Sequence, residues 1–234
     1  MKKGVVKMKK ESKVLFEEIM DSLFSDVEKE KTLEDYRKNS YYGLPKEEGI
    51  YVVKNSKNKK TEILEKPEIK LLENPKTVKS QNEYEEGFLE KCQNLNTKYL
   101  YIGKTTKTVC LNNRLKRYIE YGYGGNIKNH FGGYHLWFVK NNKVMFANFA
   151  TLEEIQKKQP NLYKKAKALS QIFNKPIIDM AEIGLICLHD LAYGYAPLAN
   201  SQEQSEYKSY KKGNDTSGYR KYYEWKKYWE EVLN

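Results

Sequence analysis

The chain has no apolar run approaching the ~20 residues that a membrane helix needs, so no spanning segment is predicted. Cysteine is scarce. Cys92, Cys110 and Cys187 stand far apart, are odd in number and show no CxxC spacing, which argues against a disulfide framework and a thiolate zinc site. Free thiols in a reducing cytoplasm are the expectation. The charged start, Met1 to Lys10, leads into no apolar stretch and does not read as a signal peptide. Acidic residues are outnumbered, 31 Asp+Glu against 42 Lys+Arg, for a net charge of +11. That surplus favours an anionic partner, nucleic acid first, because each neutralised phosphate releases counterions. A lysine-rich chain selected only for solubility would show the same surplus.

What is present is enough apolar residue for a modest core under a polar surface. Hydrophobic content is 39% of 234 residues, and the apolar residues cluster at 49–53, 99–102, 134–149 and 177–198. The mean hydropathy is −0.84. Twenty tyrosines supply rings that stack on bases and hydroxyls that reach phosphate oxygens.

The hydrophobic pattern predicts one helix over 9–37, with Leu15, Ile19 and Leu23 recurring every four residues and Phe16 and Met20 beside them. Such an arm packs on the main domain or on a second subunit. Gly43 and Pro45 end it. Residues 49–54 read as a strand, as do 99–103, and the charged stretch 55–98, with Pro67 and Pro75, reads as an insertion between them, with a short helix at 80–91. A helix over 109–121 follows, with Leu111, Leu115, Tyr118 and Ile119 on one face. Strands at 134–140 and 144–149 are predicted around a turn at 141–143. Thr151 with Glu154 three residues on is a capping-box pattern that opens a helix; Pro160 interrupts it and 161–173 resumes. A further helix covers 177–191 and stops at Gly194 and Pro197. Residues 201–218 read as loop and 219–233 as a last helix, rich in tyrosine, tryptophan and lysine. The class is α+β: a small, mostly antiparallel central sheet flanked by helices. The division is a helical arm at 1–42, a core at 43–200 and a basic aromatic extension at 201–234.

Several residues carry chemistry in this order. Glu182 lies in an otherwise apolar helix, where a carboxylate is costly unless paired, at a boundary or bound to a cation. Its hard oxygens suit Mg²⁺ or Mn²⁺. A solvent-facing glutamate is the plainer alternative. Arg114 offers a planar fork for two phosphate oxygens, and Tyr118, four residues on, shares its helix face. Tyr51 and Tyr101 become neighbours if their strands pair, and both also suit a core. Nearby cations would favour their use in relaying a proton. Lys104 can stabilise charge on a phosphate. Asn200 ends Pro197-Leu198-Ala199-Asn200, where an amide can hold a loop to a strand. His189 reads as a partly exposed helix histidine, with His130 and His135 unassigned.

The ordered set, Gly49-Ile50-Tyr51, Tyr101-Ile102-Gly103-Lys104, Arg114-Leu115 with Tyr118, Glu182 and Asn200, resembles the GIY-YIG nuclease family. The resemblance covers about 49–200. The arginine-to-tyrosine step of four is similar to the excision-repair branch, where homing enzymes carry histidine. Tyr51 and Tyr101 are 50 positions apart, more than in compact members, and a long insertion there looks like the restriction-endonuclease branch. Arg114 follows Gly103 by 11 positions, which leaves Arg117 as the alternative arginine.

The resemblance implies a site-specific, metal-dependent endonuclease for double-stranded DNA, most like a type II restriction enzyme. Glu182 would hold one Mg²⁺, or Mn²⁺. Tyr51 would take the water's proton, and Tyr101 and Tyr118 would position water and phosphate. Arg114 and Lys104 would stabilise the transition state, and Asn200 would buttress the site. Cutting both strands of a symmetric site implies a homodimer, with the 9–37 helix a candidate interface. A cognate DNA methyltransferase would complete a restriction system. The insertion and the C-terminal helix would contact DNA. A repair or homing nuclease, or a non-catalytic DNA-binding protein that keeps the fold, are the alternatives.

Overall fold

The computed structural model describes residues 2–26, 28–42, 44, 46–55, 98–106, 109–122, 139, 145–194, 197, 200 and 227–229. Chain order is α1 (Lys2–Phe24), β1 (Lys31–Thr32), α2 (Leu33–Lys38), β2 (Gly49–Lys54), β3 (Tyr99–Thr105), α3 (Leu111–Gly122), β4 (Phe146–Thr151), α4 (Leu152–Lys158), α5 (Pro160–Phe173) and α6 (Ile177–Tyr193). The strands form one sheet in the order β1-β4-β2-β3, with every pair antiparallel. The class is α+β, as expected. The predicted insertion, the strand at 134–140 and the loop at 201–218 lie almost wholly outside the described residues. Of the predicted C-terminal helix, 227–229 are described and helical.

The sheet is covered on both sides, because the β-branched and aromatic residues of β2 alternate between two cores. Ile50 and Val52 join one cluster with α1, α5 and α6; Tyr51 and Val53 join another with α2 and α3. A bulge adjusts β3. Val53 pairs with Tyr101 and Lys54 with Tyr99, so Leu100 is skipped, and Leu100 and Tyr101 both enter the second cluster. β3 is the outer strand of the sheet.

The predicted single helix over 9–37 is two helices with a strand between them. α1 ends at Phe24, and Asn148 Nδ2 donates to the carbonyls of Phe24 and Asp26, both at 3.0 Å, satisfying acceptors the ended helix exposes. Lys31 and Thr32 then pair with Ala147 and Phe146 of β4. Thr32 caps α2 in a reciprocal box with Asp35. The apolar face of α1 is spent inside the chain: Phe16, Met20, Leu23 and Phe24 are buried against the sheet and α6. That face is not available to a second subunit.

Other local signals act as predicted. Thr151 and Glu154 form the capping box that opens α4. Pro160 starts α5 at its first turn instead of merely interrupting a helix, since its missing N–H is needed by no bond there. Gly194, at φ 86°, closes α6 in the left-handed region. Trp229 lies against α6 at Gly184, where an added Cβ would collide with the indole ring. Its ring is fully buried, and Nε1 has no hydrogen-bond partner among the described residues.

Candidate active site

Tyr51 and Tyr101 meet because of register and a glycine. Tyr51 pairs with Gly103, and Tyr101 is two residues along the same strand. A Cβ at Gly103 would lie 2.5 Å from Tyr101 Cε1 and 2.6 Å from Tyr51 Cζ. The two rings therefore lean over a position that only glycine leaves empty. Their centroids are 5.6 Å apart.

Helix α3 brings the next two groups. Leu111, Leu115 and Ile119 bury its apolar face on the sheet, and Tyr118 turns the same way. Tyr41 Oη donates to Glu120 Oε1 at 2.6 Å, and Asn112 Nδ2 donates to the Tyr41 carbonyl at 3.2 Å, tying α3 to the turn after α2. Tyr118 stacks on Tyr101 at 4.9 Å and 20°, and meets Tyr51 edge-on at 6.4 Å. Arg114 hydrogen-bonds the phenols of Tyr51 and Tyr101. Its Nε is buried and has no hydrogen-bond partner among the described residues. Arg117 is exposed on the same helix. Arg114 is thus the arginine at the tyrosines.

Helix α6 supplies acid. Glu182 is 5% exposed. Lys104 Nζ stands 3.1 Å from Glu182 Oε2 and 3.1 Å from Asp179 Oδ2. Glu182 Oε2 and Asp179 Oδ1 are buried and meet no aligned hydrogen-bond donor among the described residues, while Lys104 holds both carboxylates by charge and close N–O contact. Asp179 escaped the sequence reading. The signal was there: Asp179 and Glu182 are three residues apart on a predicted helix and so share a face.

Asn200 is fixed to the outer edge of β3. Its Nδ2 donates to the Ile102 carbonyl at 2.6 Å, and its Oδ1 accepts from the Ile102 N–H at 3.0 Å. One amide thereby stands in for a neighbouring strand. Thr105 Oγ1 accepts from the Gly49 N–H at 2.9 Å and locks the start of β2 to the end of β3. Of the residues singled out from the sequence for chemistry, Arg117 and the histidines are not gathered here. His189 is fully buried between Phe16 and Tyr193, not partly exposed, because its helix face meets α1. His130 and His135 lie outside the described residues.

Burial sets the protonation states. The Tyr51 phenol is pushed well above its ordinary value of 10.0 by burial and by Tyr101, against Arg114. Tyr101 is raised to about 12, chiefly by burial, then by Glu182. Arg114 pulls both phenols down, as a nearby cation must, but desolvation outweighs it. Glu182 is raised above 4.5 by burial, which Lys104 only partly offsets. For Lys104, burial pulls down, but Glu182 and Asp179 prevail and hold it above 10.5.

The donor set fits a hard divalent cation. Two carboxylates converge on Lys104, each with a buried oxygen that meets no aligned hydrogen-bond donor among the described residues. Among the described residues no group of three or more His, Cys, Asp or Glu gathers at one place, so water would fill the remaining positions. Comparison with protein-family models, curated proteins and solved structures gives no match.

Proposed function

We propose that the protein is a metal-dependent endonuclease for double-stranded DNA, of restriction type. The observation that carries this reading is the convergence of Tyr51, Tyr101, Tyr118, Arg114, Lys104 and Glu182 around the glycine at the end of an edge strand. Phosphodiester hydrolysis needs a deprotonated water, neutralised charge on the phosphorane-like transition state, and in-line positioning. A divalent ion at Glu182, Mg²⁺ or Mn²⁺, supplies Lewis-acid stabilisation of a phosphate oxygen when bound.

The chain's own groups do the rest. Arg114, whose Nε is unsatisfied, offers that donor to a phosphate oxygen. Tyr51 and Tyr101 are neutral phenols at working pH. Tyr51 therefore takes a proton from water only as its own passes to the Tyr101 oxygen, to which it is hydrogen-bonded, and the Tyr101 proton leaves to solvent water in the same relay. Tyr118 holds the Tyr101 ring by stacking. Asn200 keeps β3 in line. In this reading the protein acts in the cytoplasm as a homodimer on a symmetric site, beside a cognate methyltransferase.

The test is cleavage of supercoiled plasmid with Mg²⁺ by wild type and by Glu182→Gln, each with and without chelator. Discrete, chelator-sensitive fragments from wild type alone support the reading. DNA binding without cutting by both proteins overturns it in favour of a non-catalytic DNA-binding protein.

A further inference from the structure

Lys104 is engaged by acid on two sides. Its ammonium lies 3.1 Å from a carboxylate oxygen of Asp179 and 3.1 Å from one of Glu182, bridging two acids on one turn of α6. Glu182 is 5% exposed, so its charge is desolvated and must be met by a cation. With Lys104 as that cation, Glu182 Oε2 and Asp179 Oδ1 are still without an aligned donor among the described residues. Hydrogen bonding leaves the pair incompletely satisfied.

We propose that Lys104 is a tethered stand-in for a divalent cation, and that Asp179 and Glu182 together form the cation site. Lys104 yields the position between the two carboxylates when Mg²⁺ or Mn²⁺ enters, and its ammonium is released toward the anionic substrate. This rests on the metal-dependent reading above, and deepens it in two ways. Asp179 becomes a second ligand. Lys104 becomes a group whose availability depends on metal. The exchange has a physical logic. Two carboxylates and one ammonium leave a net negative charge, while two carboxylates and one dication are neutral, so the dication is the better match to a buried pair. Once the dication is in place, repulsion drives the ammonium off. The apo site is thereby kept from the full cost of two adjacent buried anions.

The experiment measures cation binding without DNA, so it stands apart from any failure to cut. Mn²⁺ affinity is read by electron paramagnetic resonance of the free ion, for wild type, Asp179→Asn, Glu182→Gln, Lys104→Gln and Lys104→Met, each checked for native circular dichroism. Asp179→Asn and Glu182→Gln should each weaken binding by roughly tenfold or more. Both Lys104 variants should tighten it by about tenfold, because the resident competitor is gone. In wild type, acylation of Lys104 by an amine-reactive ester, followed by peptide mass spectrometry, should speed up severalfold on adding Mn²⁺; this needs no variant to fold. Unchanged or weaker affinity in the Lys104 variants, or Lys104 labelling indifferent to Mn²⁺, overturns the exchange. Unchanged affinity in Asp179→Asn removes Asp179 from the site. Absence of Mn²⁺ binding by wild type overturns the whole proposal, whatever the plasmid assay shows.

Discussion

At the residue scale, the site depends on one missing side chain and one misplaced charge. The missing side chain is at Gly103. An added methyl would press on Tyr101 and Tyr51, which are 7% and 0% exposed and have nowhere to retreat. Overpacking of this kind costs about 1–3 kcal/mol. Displacement of both phenols by a fraction of an ångström would cost catalysis more, about 10²-fold. Gly103→Ala should therefore remain folded by circular dichroism yet lose most plasmid cleavage; full cleavage would mean that the phenols are not used. The misplaced charge is Glu182. Its proton affinity is higher in the folded protein than in the unfolded chain, because burial outweighs Lys104. The native state then binds more protons over the window that opens near 4.5 and extends upward to the raised value. Stability must fall as pH rises through that window and level off above it. Glu182→Gln carries no such penalty. The urea midpoint of the variant minus that of wild type should grow from pH 4 to pH 7, and a constant difference would contradict the assigned direction.

At the element scale, β3 is an edge strand that carries half the site, and Asn200 is what completes it. The Ile102 N–H and C=O face outward from the sheet, and both are met by one side-chain amide. Asn200→Ala should cost about 1–3 kcal/mol, the price of leaving buried backbone groups unpaired. Asn200→Asp should cost more, since a carboxylate accepts from Ile102 N–H but sets its second oxygen against Ile102 O. Hydrogen exchange of the β3 peptide should quicken in both variants, and an unchanged rate in Asn200→Ala would show that the amide does not hold the strand. The elements also show how far sequence reading reached. Local signals carried through: the capping box at Thr151, the glycine stop at Gly194 and the strand at 49–54 each act over a few residues, and each is where it was expected. The residue order of the site carried through as well, since Tyr51, Tyr101, Arg114, Tyr118, Glu182 and Asn200 do assemble. The break at 25–32 did not. It depends on Asn148, over a hundred residues later, accepting the job of ending α1. A two-residue strand has no periodicity to read, though Thr32 and Asp35 do spell a cap. Asp179 was hidden because its meaning comes from Lys104, on another element.

At the scale of the whole molecule, the main core joins distant parts of the chain. That core runs from Phe16 and Met20 in α1, through Ile50 and Ile102 in the sheet, to α6 and Trp229. A helix near the N-terminus and a turn near the C-terminus thus pack into one cluster with the strands that carry the tyrosines. α6 is the axis of this arrangement: one part of its surface holds Asp179 and Glu182, while Gly184 receives the Trp229 ring. Unfolding of the C-terminal turn should then be felt at the site. Trp229→Ala leaves a large void against a notch that cannot collapse, and should cost about 3–5 kcal/mol. Phe16→Ala, in α1, should cost a similar ~3–5 kcal/mol. Each should lower a single cooperative transition, with far-ultraviolet circular dichroism and tyrosine fluorescence falling together. Independent arms would behave otherwise: Phe16→Ala would melt an early helical signal and leave the later transition in place. A split of that kind in either variant would separate the ends of the chain from the domain, and with them the claim that α6 links the C-terminal turn to the carboxylates.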